Sequence, residues 1–416
     1  MVQRKNHRIR KLLKLLIAVA FTTKTLAQII SIHQINVSQG DACFIKIDTI
    51  KFLIDAGNPT KGNNVIIPYL ATLGIDKLNF TIASHHHADH IGGLDEVIYA
   101  LNPEICYDRG ETYNSQQFNE YITSAGARRR TLNPKDTIIK IIRQNKQITL
   151  TCIASSGWIW NTYAGTSDEN TLSIALLLEF VSQTGDTFRF FTAGDLYAKQ
   201  ESLIAVYFPR KINLMKISHH GSRSSTSNFM LQTFQPQAVM ITVGDNNPYG
   251  HPHQETLAKL ENTPSIKYIY QTEQGARAST KSVIAGNIIA NVYDRFFTIT
   301  TSNNPARIDT FYFGNETTLN AESEPFKREN ENNKKDRSAM INSHSENGFT
   351  KIQIFIPDEI IQTIQVYNIL GKLVHETNII IPEKFELKIP STASGVYLVL
   401  VKTNKNIYHN KITILK

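Results

Sequence analysis

The stretch "SHHHADHIGGL", Ser84 to Leu94, sets four histidines and an aspartate within six consecutive positions. It follows "KLNFTIAS" (Lys77–Ser84), an apolar run that reads as a strand. A chain that ends a buried strand in so many imidazoles must either solvate them or give them a shared partner. On an extended loop, residues two apart point the same way. His85 and His87 can therefore share one ion, while His86 points elsewhere. Asp89 and His90 follow at the turn into a helix, where they can hold a second ion. Gly92 and Gly93 allow the backbone to fold back closely. Neutral imidazoles with a carboxylate suit zinc.

Two further clusters support a metal site over a solvated loop. Of thirteen histidines, eight fall in three groups: His85, His86, His87 and His90; His219 and His220; His251 and His253. Each group follows an apolar, strand-like run or its connecting loop. Strand ends gathered at one edge of a sheet are where α/β folds place their sites. Asp195, ending a strand in "TAGDL", reads as a carboxylate bridging two ions, or else as the N-cap of a helix over Leu196–Ala205. Asp55 in "LIDAG" reads as the hydrogen-bond acceptor behind a ligand histidine, or else as a turn residue before glycine.

The rest of the chain from Gln28 to about Tyr312 alternates strand and helix signals, with helices expected at Asn64–Leu73, Thr226–Phe234 and Gln254–Glu261. Near-continuous apolar runs such as "TLSIALLLEF" imply strands buried on both faces, as in sheets covered by helices. Residues 314–349 are polar, charged and poor in aromatics, the composition of a flexible linker. From Ile352 the sequence turns β-branched again, with turn signals at "NILGK" and "STASG", which suggests a small all-β module over 350–416. The formal net charge of +8 misleads. Residues 1–27 carry seven lysines and arginines and no acid, a short apolar core and Ala27 at a cleavage point, the pattern of a secretory signal peptide. Their apolar stretch falls short of the roughly 20 residues that span a bilayer, so no stable membrane insertion is expected. Residues 28–313 are neutral overall, which lacks the broad positive field expected of tight, sequence-independent binding to long nucleic acid. Arg128–Arg130 is a local basic run, a pattern more often found on a solvated face. Cys43, Cys106 and Cys152 leave at least one thiol unpaired.

The order H-x-H-x-D-H, a distant G-D, then further histidines resembles the metallo-β-lactamase superfamily. Within it, the chain is most similar to the C-terminal hydrolase-like domain of ComEC-type DNA-uptake proteins. The carrying stretches are "VSQGDACFIKI", "FLIDAG", "SHHHADHIGG", "DENTLSIAL", "TAGDL", "KISHHGSRSS" and "NPYGHPH", which cover most of residues 30–270. The resemblance implies an αββα sandwich of the α/β class with two metals at one edge. His85 and His87 would take one Zn²⁺, Asp89 and His90 the other, and Asp195 would bridge. His251, chosen over His253, would complete the second zinc. His219 would face the substrate oxyanion or complete a metal shell. One departure stands out: no histidine lies between His90 and His219, and Asn170 occupies the family's "N-x-L" stretch. That leaves room for a single metal, or for Mn²⁺. The C-terminal module, through "IQVYNILGKLV", "SGVYLVLV" and the closing "KITILK", resembles the β-sandwich sorting domain read by the type IX secretion machinery. Together these imply a secreted or cell-surface hydrolase in which Asp89 orients a metal-activated hydroxide and His219 assists catalysis. The expected substrate is a phosphodiester, of nucleic acid or of a phosphorylated surface polymer. The alternatives are a lactam, lactone or thioester substrate at the same site, or a non-catalytic surface binder.

Overall fold

The computed structural model describes residues 28–314, 340–346, 349–368, 373–390, 394–403 and 407–414. The expected signal peptide and residues 315–339 and 347–348 of the expected linker lie outside the described residues.

The expected four-layer arrangement is present: helices, sheet, sheet, helices. The first sheet has nine strands. Its central hairpins, built from Ile30–Gln34, Cys43–Ile47 and Ile50–Ile54, are antiparallel. Phe80–Ile82, Ile105–Asp108 and Arg129–Thr131 then add in parallel. The second sheet has ten strands. Lys146–Ser155, Ala175–Val181 and Thr187–Thr192 are antiparallel, and Leu214–Lys216, Ala238–Ile241, Tyr268–Gln271 and Ser282–Ile284 continue in parallel.

Period-two alternation explains the layering. Leu176, Leu178 and Phe180 enter the core between the sheets with Ile30, Ile32 and Phe52. Ala175 and Leu177, on the other face, pack under the helices Ala198–Tyr207, Asn228–Phe234 and Gln254–Glu261. Strands covered on both sides have no polar face, hence the unbroken apolar runs. The outer layer of the first sheet shows the complementary helical pattern. Leu94–Leu101 buries Leu94, Val97, Ile98 and Leu101, a single stripe at i, i+3, i+4 and i+7.

Some local expectations shift. Asp195 does not cap the following helix; that helix starts at Ala198 with Tyr197 as N-cap and no side-chain cap bond. Residues 340–346, read as the end of a linker, form a strand paired with Phe349–Asn368. Polar composition concealed it, because the strand lies at the end of its sheet, where only one neighbour is needed. All three cysteines are free and buried. The C-terminal strands form a five-stranded sheet with its own apolar cluster. The opposite face of Gly395–Thr403 carries Leu398 and Leu400, which with Tyr367 join the cluster under Asn228–Phe234. Tyr367 packs 4.8 Å from Phe229, and its hydroxyl donates to Gln232 Oε1 at 3.2 Å.

Candidate metal centre

The histidine-bearing loops all leave the same edge of the sandwich. Phe80–Ile82 runs into the 84–91 loop, Thr187–Thr192 into Asp195, Leu214–Lys216 into His219 and His220, and Ala238–Ile241 into the segment holding His251. Parallel strands end together, so their C-terminal loops converge.

The 84–91 loop is fastened from behind. Asp41 N donates to Asp89 O at 3.0 Å and Ala56 N to His90 O at 2.7 Å. Gly93 permits this closeness: a Cβ there would lie 2.5 Å from Ala56 O. Buried Glu169 accepts a bidentate pair from buried Arg109 (2.7 and 2.6 Å) and also the His86 N–H (2.8 Å). Such fork-to-fork pairing is among the stronger charge-assisted arrangements. His86 itself turns away, its ring 4.5 Å from Phe118, as its place in the loop implies.

The donor atoms cluster tightly. His85 Nε2 and His87 Nδ1 are 3.1 Å apart. His220 Nε2 lies 3.2 Å from Asp89 Oδ2, and His90 Nε2 lies 3.3 Å from Asp195 Oδ1. Asp195 Oδ2 is 4.0 Å from His85, 3.9 Å from His219 and 3.7 Å from His220, so one carboxylate touches both groups. Donors bound 2.0–2.2 Å from one tetrahedral ion stand about 3.3–3.6 Å from each other, close to these separations.

Hydrogen bonding fixes which nitrogens face inward. His90 Nδ1 donates to Asp55 Oδ2 at 2.8 Å, and His220 Nδ1 donates to the Thr242 carbonyl at 2.9 Å. Each Nε2 is thereby turned to the cluster, the orientation a metal-ligating imidazole takes. His90 Nε2, His220 Nε2 and Asp195 Oδ1 are buried and have no hydrogen-bond partner among the described residues. Orphaned buried polar atoms are costly, and a divalent cation would satisfy all three. The residues present therefore fit a metal. A third acidic group, Asp41 and Asp55 on the far side of His90, is already neutralised: buried Lys216 ion-pairs with Asp41, and its Nζ donates to Gly194 O at 3.2 Å.

The electrostatics agree. Burial opposes charge on His90, but Asp195 and Asp55 outweigh it and hold the imidazole well above its ordinary value. His220 is raised for the same reason, by Asp195 and Asp89 against burial. Asp195 and Asp89 are held below the carboxylate range, burial notwithstanding, by these histidines. Protons thus stand where a cation would go, and metal uptake must release them. Burial pushes His85 well down, and His219 down, so both are neutral bases. Burial and its histidine neighbours depress His251 to about 3.

Sequence reasoning does not single out His220 as a ligand; the expectation places His251 in the Asp89–His90 group. The structure sets His220 Nε2 beside Asp89 Oδ2, and the Nδ1 of His251 is likewise buried without a hydrogen-bond partner among the described residues. His251 packs on its neighbours, its ring 5.3 Å from His219 and 6.1 Å from His220. His253 Nδ1 accepts the Arg223 N–H at 3.1 Å. The physical reason is backbone conformation. His219 (φ 52°), His220 (φ 51°) and Gly221 (φ 79°) form a left-handed run, uncommon for non-glycine residues and typical of strained functional loops. That run swings His220 inward and leaves His219 20 % exposed at the cleft. The loop is braced by Ser225 Oγ donating to Ser218 O at 2.9 Å and by buried Glu201, which accepts the Thr226 N–H at 2.6 Å. No periodicity argument sees such a turn. The remaining residues missed from sequence, Asp41, Lys216, Glu169 and Arg109, act through burial, which local sequence does not display.

The cluster opens into a cleft of about 620 Å³ whose walls include His87, Asp89, Asn170, Asp195, His219 and Tyr249.

Two family profiles agree with this architecture. The metallo-β-lactamase superfamily profile matches residues 35–147, and the secretion system C-terminal sorting domain profile matches residues 346–415. ComE operon protein 3 of Bacillus subtilis is 27 % identical over 263 residues, 59 % of this chain and 32 % of that protein. Recombination protein 2 of Haemophilus influenzae is 25 % identical over 240 residues, 55 % of this chain and 26 % of that protein. The chain thus spans about a quarter to a third of the length of these relatives. Among solved structures, the metallo-β-lactamase fold protein YhfI of Bacillus subtilis matches with a TM-score of 0.36 and 12 % identity, covering 58 % of this chain and 95 % of that one. The chain carries a metallo-β-lactamase superfamily domain similar to part of these competence and recombination proteins, followed by a secretion-system C-terminal sorting domain.

Proposed function

We propose that this chain is a secreted, metal-dependent hydrolase of phosphodiesters. One observation carries the reading: imidazoles and carboxylates from four separate loops converge at one sheet edge, with buried donor atoms that have no hydrogen-bond partner among the described residues beside an open cleft.

His85 and His87 would hold one ion, Asp89, His90 and His220 a second, with Asp195 shared. When bound, Zn²⁺ or Mn²⁺ would supply Lewis acidity and lower the pKa of a bound water, for Zn²⁺ from about 15.7 to about 7. The chain's own residues do the rest. Asp89, 23 % exposed, meets the cleft and orients the attacking oxygen. His219 is neutral, and its Nδ1 lies 3.2 Å from Ser224 Oγ. With Ser224 donating there, Nε2–H points to the cleft and can steady the developing negative charge by hydrogen bonding. Tyr197, stacked 5.7 Å from the His219 ring and donating to Asp168 at 2.6 Å, holds that imidazole in place.

The phosphodiester choice draws on hard-cation chemistry and on the competence and recombination proteins that the chain resembles. The sorting domain supports export by the type IX machinery, with residues 1–27 as the leader. Full-length protein reconstituted with Zn²⁺ or Mn²⁺ should hydrolyse bis-p-nitrophenyl phosphate faster than nitrocefin or acyl-lactones. Turnover of the lactam or lactone alone would reassign the substrate. A well-metallated but inert chain would make it a binding protein. Activity retained in a His87→Ala, Asp195→Ala double variant would refute the metal assignment.

A further inference from the structure

We propose that the buried Lys216–Asp41 ion pair is the spacer that holds three ligand loops at metal-binding distance, so that the metal affinity of the centre depends on it. The inference rests on the metal reading above and adds two positioning residues behind the ligands. Lys216 and Asp41 are 2 % and 4 % exposed. They join the two halves of the sandwich: Lys216 ends the strand Leu214–Lys216 of the second sheet, and Asp41 lies in the turn between Ile30–Gln34 and Cys43–Ile47 of the first.

Each partner reaches a different ligand loop. Lys216 Nζ donates to Gly194 O at 3.2 Å, the carbonyl immediately before Asp195. Asp41 N donates to Asp89 O at 3.0 Å. That approach requires Gly40 (φ 136°), where a Cβ would lie 2.6 Å from the same oxygen. The Asp41 carboxylate also accepts from the Thr242 hydroxyl, and the Thr242 carbonyl accepts from His220 Nδ1 at 2.9 Å. One ammonium and one carboxylate therefore tie the loops of Asp195, Asp89 and His220 to a common point. The carboxylate stands 3.7 Å from His90 Nδ1 and 3.9 Å from His220 Nδ1, behind both imidazoles and away from the Nε2 atoms that face the centre. Stability alone is a poor account of such a pair. Taking two charges out of water costs about as much as their attraction returns, and apolar residues of similar volume often serve a fold as well. Apolar residues cannot, however, bond to the Gly194 carbonyl and the Thr242 hydroxyl. A site whose donors must stay within about 0.5 Å of their working positions needs bonds of that kind behind it.

The test uses the full-length chain with Asp41→Asn and Lys216→Met combined. The exchange leaves the net charge unchanged and strands no buried ion, so a change in affinity reads geometry and not charge. Zn²⁺ affinity is measured by competition with a chelator, beside the melting curve of the metal-free protein. The double variant should melt within a few degrees of wild type and bind Zn²⁺ at least about tenfold more weakly. Affinity within about twofold of wild type would make the pair a fold element only and overturn the inference. Should the double variant melt well below wild type, Thr242→Val decides: it removes one bond to Asp41 and keeps the carbonyl that orients His220. It should weaken Zn²⁺ binding by more than about twofold, and an unchanged affinity would overturn the inference. If wild type binds neither Zn²⁺ nor Mn²⁺, the metal reading falls and this inference with it; if wild type and both variants bind equally well, only the inference falls.

Discussion

Replacing Asp55 with asparagine should weaken metal binding without unfolding the chain. Asp55 Oδ1 accepts the Ser84 N–H at 2.7 Å; Oδ2 accepts from Ser84 Oγ at 2.6 Å and from His90 Nδ1 at 2.8 Å. Asparagine has the same shape and also tolerates the left-handed backbone at this position (φ 58°). Its Oδ1 can keep the Ser84 N–H, and the Ser84 hydroxyl can reverse to accept. His90 has no such freedom. A carboxylate only accepts, which keeps the proton on Nδ1 and the lone pair on Nε2; an amide nitrogen donates, which favours the opposite tautomer. The lone pair would then face the substituted amide and the proton would face the centre. Losing the partner behind a ligand histidine costs 10–100-fold in metal affinity, about 1.4–2.8 kcal/mol. Competition against a chelator of known affinity measures this, with the melting curve of the metal-free protein as the folding control. Affinity within about twofold of wild type would refute the role given to Asp55.

His220→Ala should lower metal affinity at least as much as His90→Ala, whereas His251→Ala should lower it far less, read by the same competition; the reverse order would restore His251 as the ligand. Lys216→Met leaves Asp41 buried without its cation and should destabilise the fold by about 3–5 kcal/mol in denaturant titration. Burial raises Glu201 from 4.5 to about 7, so between those values the folded chain keeps a proton that the unfolded chain has lost. Stability should therefore fall as pH rises through that window, and Glu201→Gln should flatten the decline in pH-dependent denaturation. His90 and His220 are raised, so their contribution to the metal-free fold is present below about 6.5 and lost as pH rises through their folded values. Metal-free protein should accordingly lose melting temperature on the alkaline side and regain it when Zn²⁺ is added.

Much of this architecture is legible in the sequence because it rests on short-range pattern. Two-sided burial makes "TLSIALLLEF" continuous, and one-sided burial makes Leu94–Leu101 a stripe; either is visible without coordinates. The H-x-H-x-D-H spacing likewise separates His86 from its neighbours, since alternation on an extended loop is local. Convergence is less visible. The inward turn of His220 depends on two consecutive left-handed residues, and the Lys216–Asp41 pair joins a strand of the second sheet to a loop of the first. The strand at 340–346 was hidden by polar composition, which an end strand with one neighbour tolerates.

The most direct test of the account is a metal titration into the metal-free full-length chain, following bis-p-nitrophenyl phosphate hydrolysis and bound metal together. The account predicts a rate that climbs from background in step with bound Zn²⁺ or Mn²⁺ and that Asp195→Ala cannot reproduce. A rate independent of bound metal, or a wild-type chain that retains none, would contradict it.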